Sequence, residues 1–157
     1  MTNRTRRFAT VALALALVAG GAAVATADVK VACDALEISA TSGTEGKIAP
    51  ELKPLEKKLK KKPFSSWNTF TLLSKTSKSL ERLKAEDIKL TKGKATVLFR
   101  DVDKGTKKDR IALTVTTEDE NGKRIADTKV NIDAGDYIVM ARTLANDDGH
   151  LLAVTCK

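Results

Sequence analysis

The stretch Arg110–Thr117 constrains the fold most. Ile111, Leu113 and Val115 alternate with Ala112, Thr114 and Thr116. Side chains of a strand point to opposite faces in turn, so this stretch has one face for a core and one that is more polar. Asn121-Gly122 follows and favours the positive backbone angles of a tight hairpin. Lys123–Ile132 then returns with Val130 and Ile132 apolar. A hairpin of this kind needs further strands to bury its face, and the rest of the chain offers them. Val29–Ile38, Trp67–Ser74, Ala95–Val102, Tyr137–Leu144 and Leu151–Cys156 all read as strands. Lys92-Gly93, Asp103-Lys104-Gly105, Ala134-Gly135-Asp136 and Asn146-Asp147-Asp148-Gly149 supply turns between them. Ser79–Asp87 is ambiguous between strand and a short helical turn. Such spacing predicts a mostly β fold: an antiparallel β-sandwich or barrel of about six to eight strands.

One segment breaks the two-residue period. Ile48, Leu52, Leu55 and Leu59 recur at spacings of four, three and four, the stripe of a short amphipathic helix. Pro50 suits its first turn, Pro54 fits less well, and Pro63 ends it. Lys53, Lys57, Lys58, Lys60, Lys61 and Lys62 cover the remaining surface of residues 51–62. Aromatic residues are 4% of the chain, so the core must rest on Val, Ile, Leu and Ala. Phe64, Trp67 and Phe70 are expected to pack at the corner between this helix and the next strand.

The N-terminus has a different character. Arg4, Arg6 and Arg7 precede an apolar run from Phe8 to Val18, and small residues lead to Ala25-Thr26-Ala27. This is the three-zone pattern of a cleavable secretory signal peptide, with cleavage expected between Ala27 and Asp28. The apolar run falls short of the roughly 20 residues needed to span a bilayer. The general secretory route fits better than a twin-arginine route, because Phe8 directly follows Arg6-Arg7. Lys30 before Cys33 disfavours a lipid anchor. Removing residues 1–27 from 157 leaves a single domain of 130 residues, 28–157. The formal charge of +8 falls to +5 with the loss of those three arginines. No transmembrane helix is expected in the mature chain, and a periplasmic or secreted location is expected for it.

Export changes how Cys33 and Cys156 read. In an oxidising compartment an even cysteine count favours one disulfide, here joining the first and last strands. In the chain-entropy account, closing so long a loop stabilises by roughly 4–5 kcal/mol. An intermolecular bridge or two free thiols are the alternatives.

No residue pattern marks an active site. The chain lacks G-x-S-x-G, H-E-x-x-H, P-loop and Rossmann patterns, and no Cys/His spacing suits zinc. His150, the one histidine, follows a turn and reads as an ordinary surface residue. Glu118-Asp119-Glu120 and Asp147-Asp148 lack the spacing of a Ca²⁺ loop and read as turn residues. No catalytic residue, metal or cofactor is expected. Nucleic acid is disfavoured, because few aromatics lie among the lysines to stack on bases.

Two functional expectations follow. The first is a non-enzymatic exported β-domain that mediates protein–protein or cell-envelope interaction. The second is binding of an anionic surface, lipid headgroup or cell-wall polymer, through the lysines of residues 51–62. The motifs Lys62-Pro63-Phe64-Ser65-Ser66-Trp67, Phe70-Thr71-Leu72-Leu73, Asp133–Met140 and Leu151–Val154 carry a resemblance. The chain resembles small exported β-proteins of Gram-negative bacteria that have no known activity. The likeness implies a compact β-sandwich, and it brings no cofactor or catalytic residue.

Overall fold

The computed structural model describes residues 28–157; the signal-peptide expectation, including Ala27, lies outside the described residues. Nine strands form two sheets. They are β1 (Lys30–Thr41), β2 (Lys47–Ile48), β3 (Thr69–Glu81), β4 (Ala85–Leu90), β5 (Gly93–Asp103), β6 (Arg110–Glu118), β7 (Arg124–Asp133), β8 (Tyr137–Thr143) and β9 (Gly149–Cys156). One sheet has the order β2-β3-β1-β9-β8, the other β4-β5-β6-β7. All pairings are antiparallel except that of the two-residue β2 with β3. The mostly β, sandwich-like expectation therefore holds. The ambiguous Ser79–Asp87 resolves into the end of β3, a turn with Leu83 at φ 61°, and the start of β4.

Between β2 and β3 the chain covers the outer face of the five-stranded sheet. Pro50–Leu55 is a 3-10 helix, Glu56–Leu59 a single α-helical turn (α1), and Phe64–Ser66 another 3-10 turn. The helix is thus shorter than residues 51–62, and Lys60, Lys61 and Lys62 lie past its last residue. Pro54 sits inside the 3-10 segment, where it has no N–H to give an α-helical ladder. Ile48, expected to open the helical stripe, lies instead in β2 and is half-buried, while Leu52, Leu55 and Leu59 dock fully buried.

Two cores result, one on each face of the five-stranded sheet. Between the sheets, Val31, Cys33 and Ala35 of β1 and Leu152, Val154 and Cys156 of β9 meet Val97, Phe99, Leu113 and Val115. On the outer face, Leu36, Ile38, Leu151 and Ala153 meet Leu52, Leu55, Leu59, Trp67 and Phe70. Phe64 is only partly buried against this second core. Strands β1 and β9 are therefore covered on both sides, which is why β9 is buried at nearly every position.

A bulge in β3 sets which side chains reach which core. Glu37 pairs with Ser74 but Ile38 pairs with Leu72, so Leu73 is an extra residue. Before the bulge, Phe70 and Leu72 face the helical layer. After it, the alternation is reset, and Ser74 and Leu80 face the second sheet alongside Glu37.

Candidate functional site

Of the expected residues, Cys33 and Cys156 are brought together. They are direct partners across β1 and β9, joined by a disulfide with Cα atoms 4.1 Å apart. Ala32 and Lys157 exchange both backbone hydrogen bonds, so the cysteines occupy the neighbouring non-hydrogen-bonded pair, where side chains lie closest. The intramolecular bridge is the one that forms, and none of the described cysteines is free.

Four residues further along β1, on the same inter-sheet face, lies a polar cluster that sequence reasoning missed. Glu37 is fully buried and His150 is 7% exposed. The surface reading of His150 is therefore corrected: it opens a strand covered on both faces, immediately past its turn. Gly149 lets the chain enter there, because a Cβ at that position would meet the Trp67 indole at 2.8 Å. Trp67 is held over it by donating Nε1–H to the Asp147 carbonyl at 2.8 Å.

The carboxylate of Glu37 accepts five hydrogen bonds. Ser74 Oγ donates at 2.8 Å, Thr91 N at 2.9 Å, Thr91 Oγ1 at 2.7 Å, Lys92 N at 3.1 Å and His150 Nε2 at 2.7 Å. Burial alone would raise its pKa, but the bonds from Thr91, His150 and Ser74 outweigh that and lower it to about 2. The other ring nitrogen, His150 Nδ1, accepts from Arg142 Nε at 3.2 Å. That assignment puts the proton on Nε2 and makes a neutral imidazole between carboxylate and guanidinium. Arg142 also donates to the Lys92 carbonyl at 3.0 Å and lies 3.8 Å from Glu120. Glu37 of β1 and Arg142 of β8 thus grip the Thr91-Lys92 turn, between β4 and β5, with Ser74 of β3 and His150 of β9 bonded to Glu37 behind them.

Chemically this is a clasp. Glu37 has its oxygens filled by internal donors, and both ring nitrogens of His150 are engaged within the cluster. The cavity beside His150, between Leu90, Lys92, Thr117 and Arg142, holds only about 40 Å³. That is room for a few water molecules. Among the described residues, no group of His, Cys, Asp and Glu is arranged to hold a metal ion. The acidic runs act in turns, as expected: Asp119 accepts from the Asn121 and Lys123 amides, and Asp148 from Asn146.

The expected lysines are all exposed but do not form one face. Lys53 and Lys60 border a groove of about 450 Å³ beside Trp67 and Phe70, and Lys60 is paired with Glu56. Lys58, Lys61 and Lys62 border a different groove of about 610 Å³, together with Arg110, Asp133 and Tyr137. Lys57 lines neither groove. Asp28, the expected first mature residue, is exposed at the start of the described chain. Among the described residues no helix is long and apolar enough to cross a membrane.

Comparisons with protein-family models, with curated proteins and with solved structures find no match to this chain.

Proposed function

We propose that this chain is an exported, non-enzymatic β-domain that works by binding, in protein–protein or cell-envelope contacts. The observation that carries this reading is the use to which its buried ionisable groups are put. Glu37, His150 and Arg142 spend their hydrogen bonds on holding the two sheets together. What they support is a doubly covered scaffold with open grooves at its surface, the arrangement in which rigid strands display contact residues. Export is supported by the N-terminal pattern and is compatible with the Cys33–Cys156 disulfide. The test is crosslinking followed by affinity capture from an envelope fraction. A partner enriched reproducibly over a disulfide-matched control is the expected result, and repeated failure to enrich any partner counts against the reading.

A second reading has its own observation. Lys58, Lys61 and Lys62 line one groove in which Arg110 is paired with Asp133 and Asp136 also stands, so the lysines leave an excess of positive charge there, on a chain of net +5 after residues 1–27. An anionic lipid headgroup or cell-wall polymer would be drawn to it. Replacing Lys57, Lys58, Lys61 and Lys62 by Gln should weaken sedimentation with anionic liposomes and flatten its salt dependence. Unchanged sedimentation removes this second reading.

A further inference from the structure

Strands β7 and β8 are the outer strands of the two sheets on the same side of the sandwich, and neither pairs with the other. An edge of this kind leaves backbone N–H and C=O groups free to pair with another chain unless charge or cover protects it. The edge β7 is protected by Arg124, Asp127, Lys129 and Asp133. The edge β8, Tyr-Ile-Val-Met-Ala-Arg-Thr, has no acid, and its single base Arg142 turns inward to His150 and Lys92.

The register shows which β8 groups are free. Because Ala32 and Lys157 exchange both bonds, the odd-numbered residues of β9 bond to β1 and the even-numbered ones to β8. Ile138, Met140 and Arg142 are therefore the β8 residues bonded to β9, opposite Val154, Leu152 and His150. Tyr137, Val139, Ala141 and Thr143 direct their backbone groups outward. Lys58 Nζ donates to the Tyr137 carbonyl, which leaves Val139 and Ala141 as the centre of the open edge.

The groove of about 610 Å³ runs along the first half of this edge, Tyr137–Val139, and is lined also by Arg110, Asp133 and Asp136. Tyr137 and Val139 belong to the helical-layer side, where Lys58, Lys61 and Lys62 stand. Ile138 and Met140 belong to the inter-sheet side, with Val130. A strand added to β8 would thus point alternate residues at three lysines and the others at apolar surface.

We propose that the free edge of β8 is a strand-addition site for an extended segment of a partner protein that alternates acidic and apolar residues. The proposal rests on the reading of this chain as a binding domain and gives it a place. A second copy of the chain fits the edge less well, because a second β8 brings no acid to the lysines. A lipid surface would meet the lysines but would leave the backbone groups of Val139 and Ala141 without partners.

The probe is a labelled peptide of about ten residues alternating Val and Glu, long enough to cover the edge, with a Val/Lys peptide as control. Binding of the Val/Glu peptide alone is expected, with amide exchange slowed at Val139 and Ala141. The triple variant K58Q/K61Q/K62Q should bind at least about tenfold more weakly, a loss of ~1.4 kcal/mol. Val139→Pro, which removes an outward N–H and no bond to β9, should abolish binding while near-ultraviolet circular dichroism stays native. The exchange measurement on the unaltered protein decides the matter if that variant does not fold. No binding of the Val/Glu peptide, or binding without protection at Val139 and Ala141, overturns the proposal. So does protection that appears with protein concentration alone, or with anionic vesicles alone. A captured partner crosslinked away from β8 would sink the edge site and leave the binding-domain reading standing; no captured partner and a silent edge would sink both.

Discussion

The same two strands are tied together twice on the same face, in two different ways. Cys33–Cys156 joins β1 to β9 by a covalent bond. Glu37–His150 joins them by a hydrogen bond of 2.7 Å in a buried polar cluster. The first constrains the unfolded chain, since it closes a loop across a sequence separation of 123 residues. The second acts only in the folded state and reaches further, because Glu37 also accepts from the Thr91 and Lys92 amides of the other sheet. One link therefore answers to reductant and the other to pH. One buried carboxylate, its lone pairs filled by five donors, thus adds a polar tie between layers that are otherwise packed through an apolar core.

The largest effect should come from breaking the covalent link. Replacing Cys33 and Cys156 by Ala is expected to cost about 4–5 kcal/mol in urea unfolding, within the ~2–5 kcal/mol typical of native bridges. The dependence on acid should survive unchanged in that variant. Glu37→Ala comes next, at about 3–5 kcal/mol, because it strands buried donors that had been paired with a charge. A loss below about 1 kcal/mol would mean that water replaces the carboxylate and that the clasp is dispensable.

The pH response separates the two links. The Glu37 pKa is lowered from 4.5 to about 2 in the folded state. Its contribution is therefore fully present above pH 4.5 and is lost as pH falls from there towards 2. The loss should be on the order of 3 kcal/mol at about 1.4 kcal/mol per pH unit. Glu37→Gln should remove most of that acid dependence, and reductant should leave it untouched. If the unfolding free energy of Glu37→Gln falls with acid as steeply as that of the parent, another carboxylate carries the effect. The smallest change is expected for Ser74→Ala, about 1 kcal/mol for one of five bonds to the carboxylate.

The alternation of Ile111, Leu113 and Val115 and the Leu52, Leu55 and Leu59 stripe stand in the structure where their periodicity puts them. A turn also forms at Asn121-Gly122, but only Gly122 takes a positive φ, 77°, and the loop is closed by Asp119 and Lys123 rather than by the flanking pair of a two-residue hairpin. The cysteine pairing was legible too, given an oxidising compartment. The helix length was not, because a 3-10 segment with Pro54 carries the same apolar spacing as an α-helix. The polar cluster was not legible at all. Glu37 and His150 are 113 residues apart, and each stands alone in its local pattern. One hint was available: Glu37 falls at a position that continues Val31, Cys33 and Ala35 on a buried face.

The β class, most of the turns, the apolar stripe and the cysteine pair follow from local periodicity and residue type, which are legible in the chain before it folds. The cover on both faces of β1 and β9, the bulge at Leu73 that turns Ser74 towards Glu37, and the parting of Lys53 and Lys60 from Lys58, Lys61 and Lys62 into two grooves come from the folded arrangement. It also leaves the edge of β8 open while that of β7 carries charges. These are properties of register and layer order, set by long-range packing between segments whose local patterns do not refer to one another.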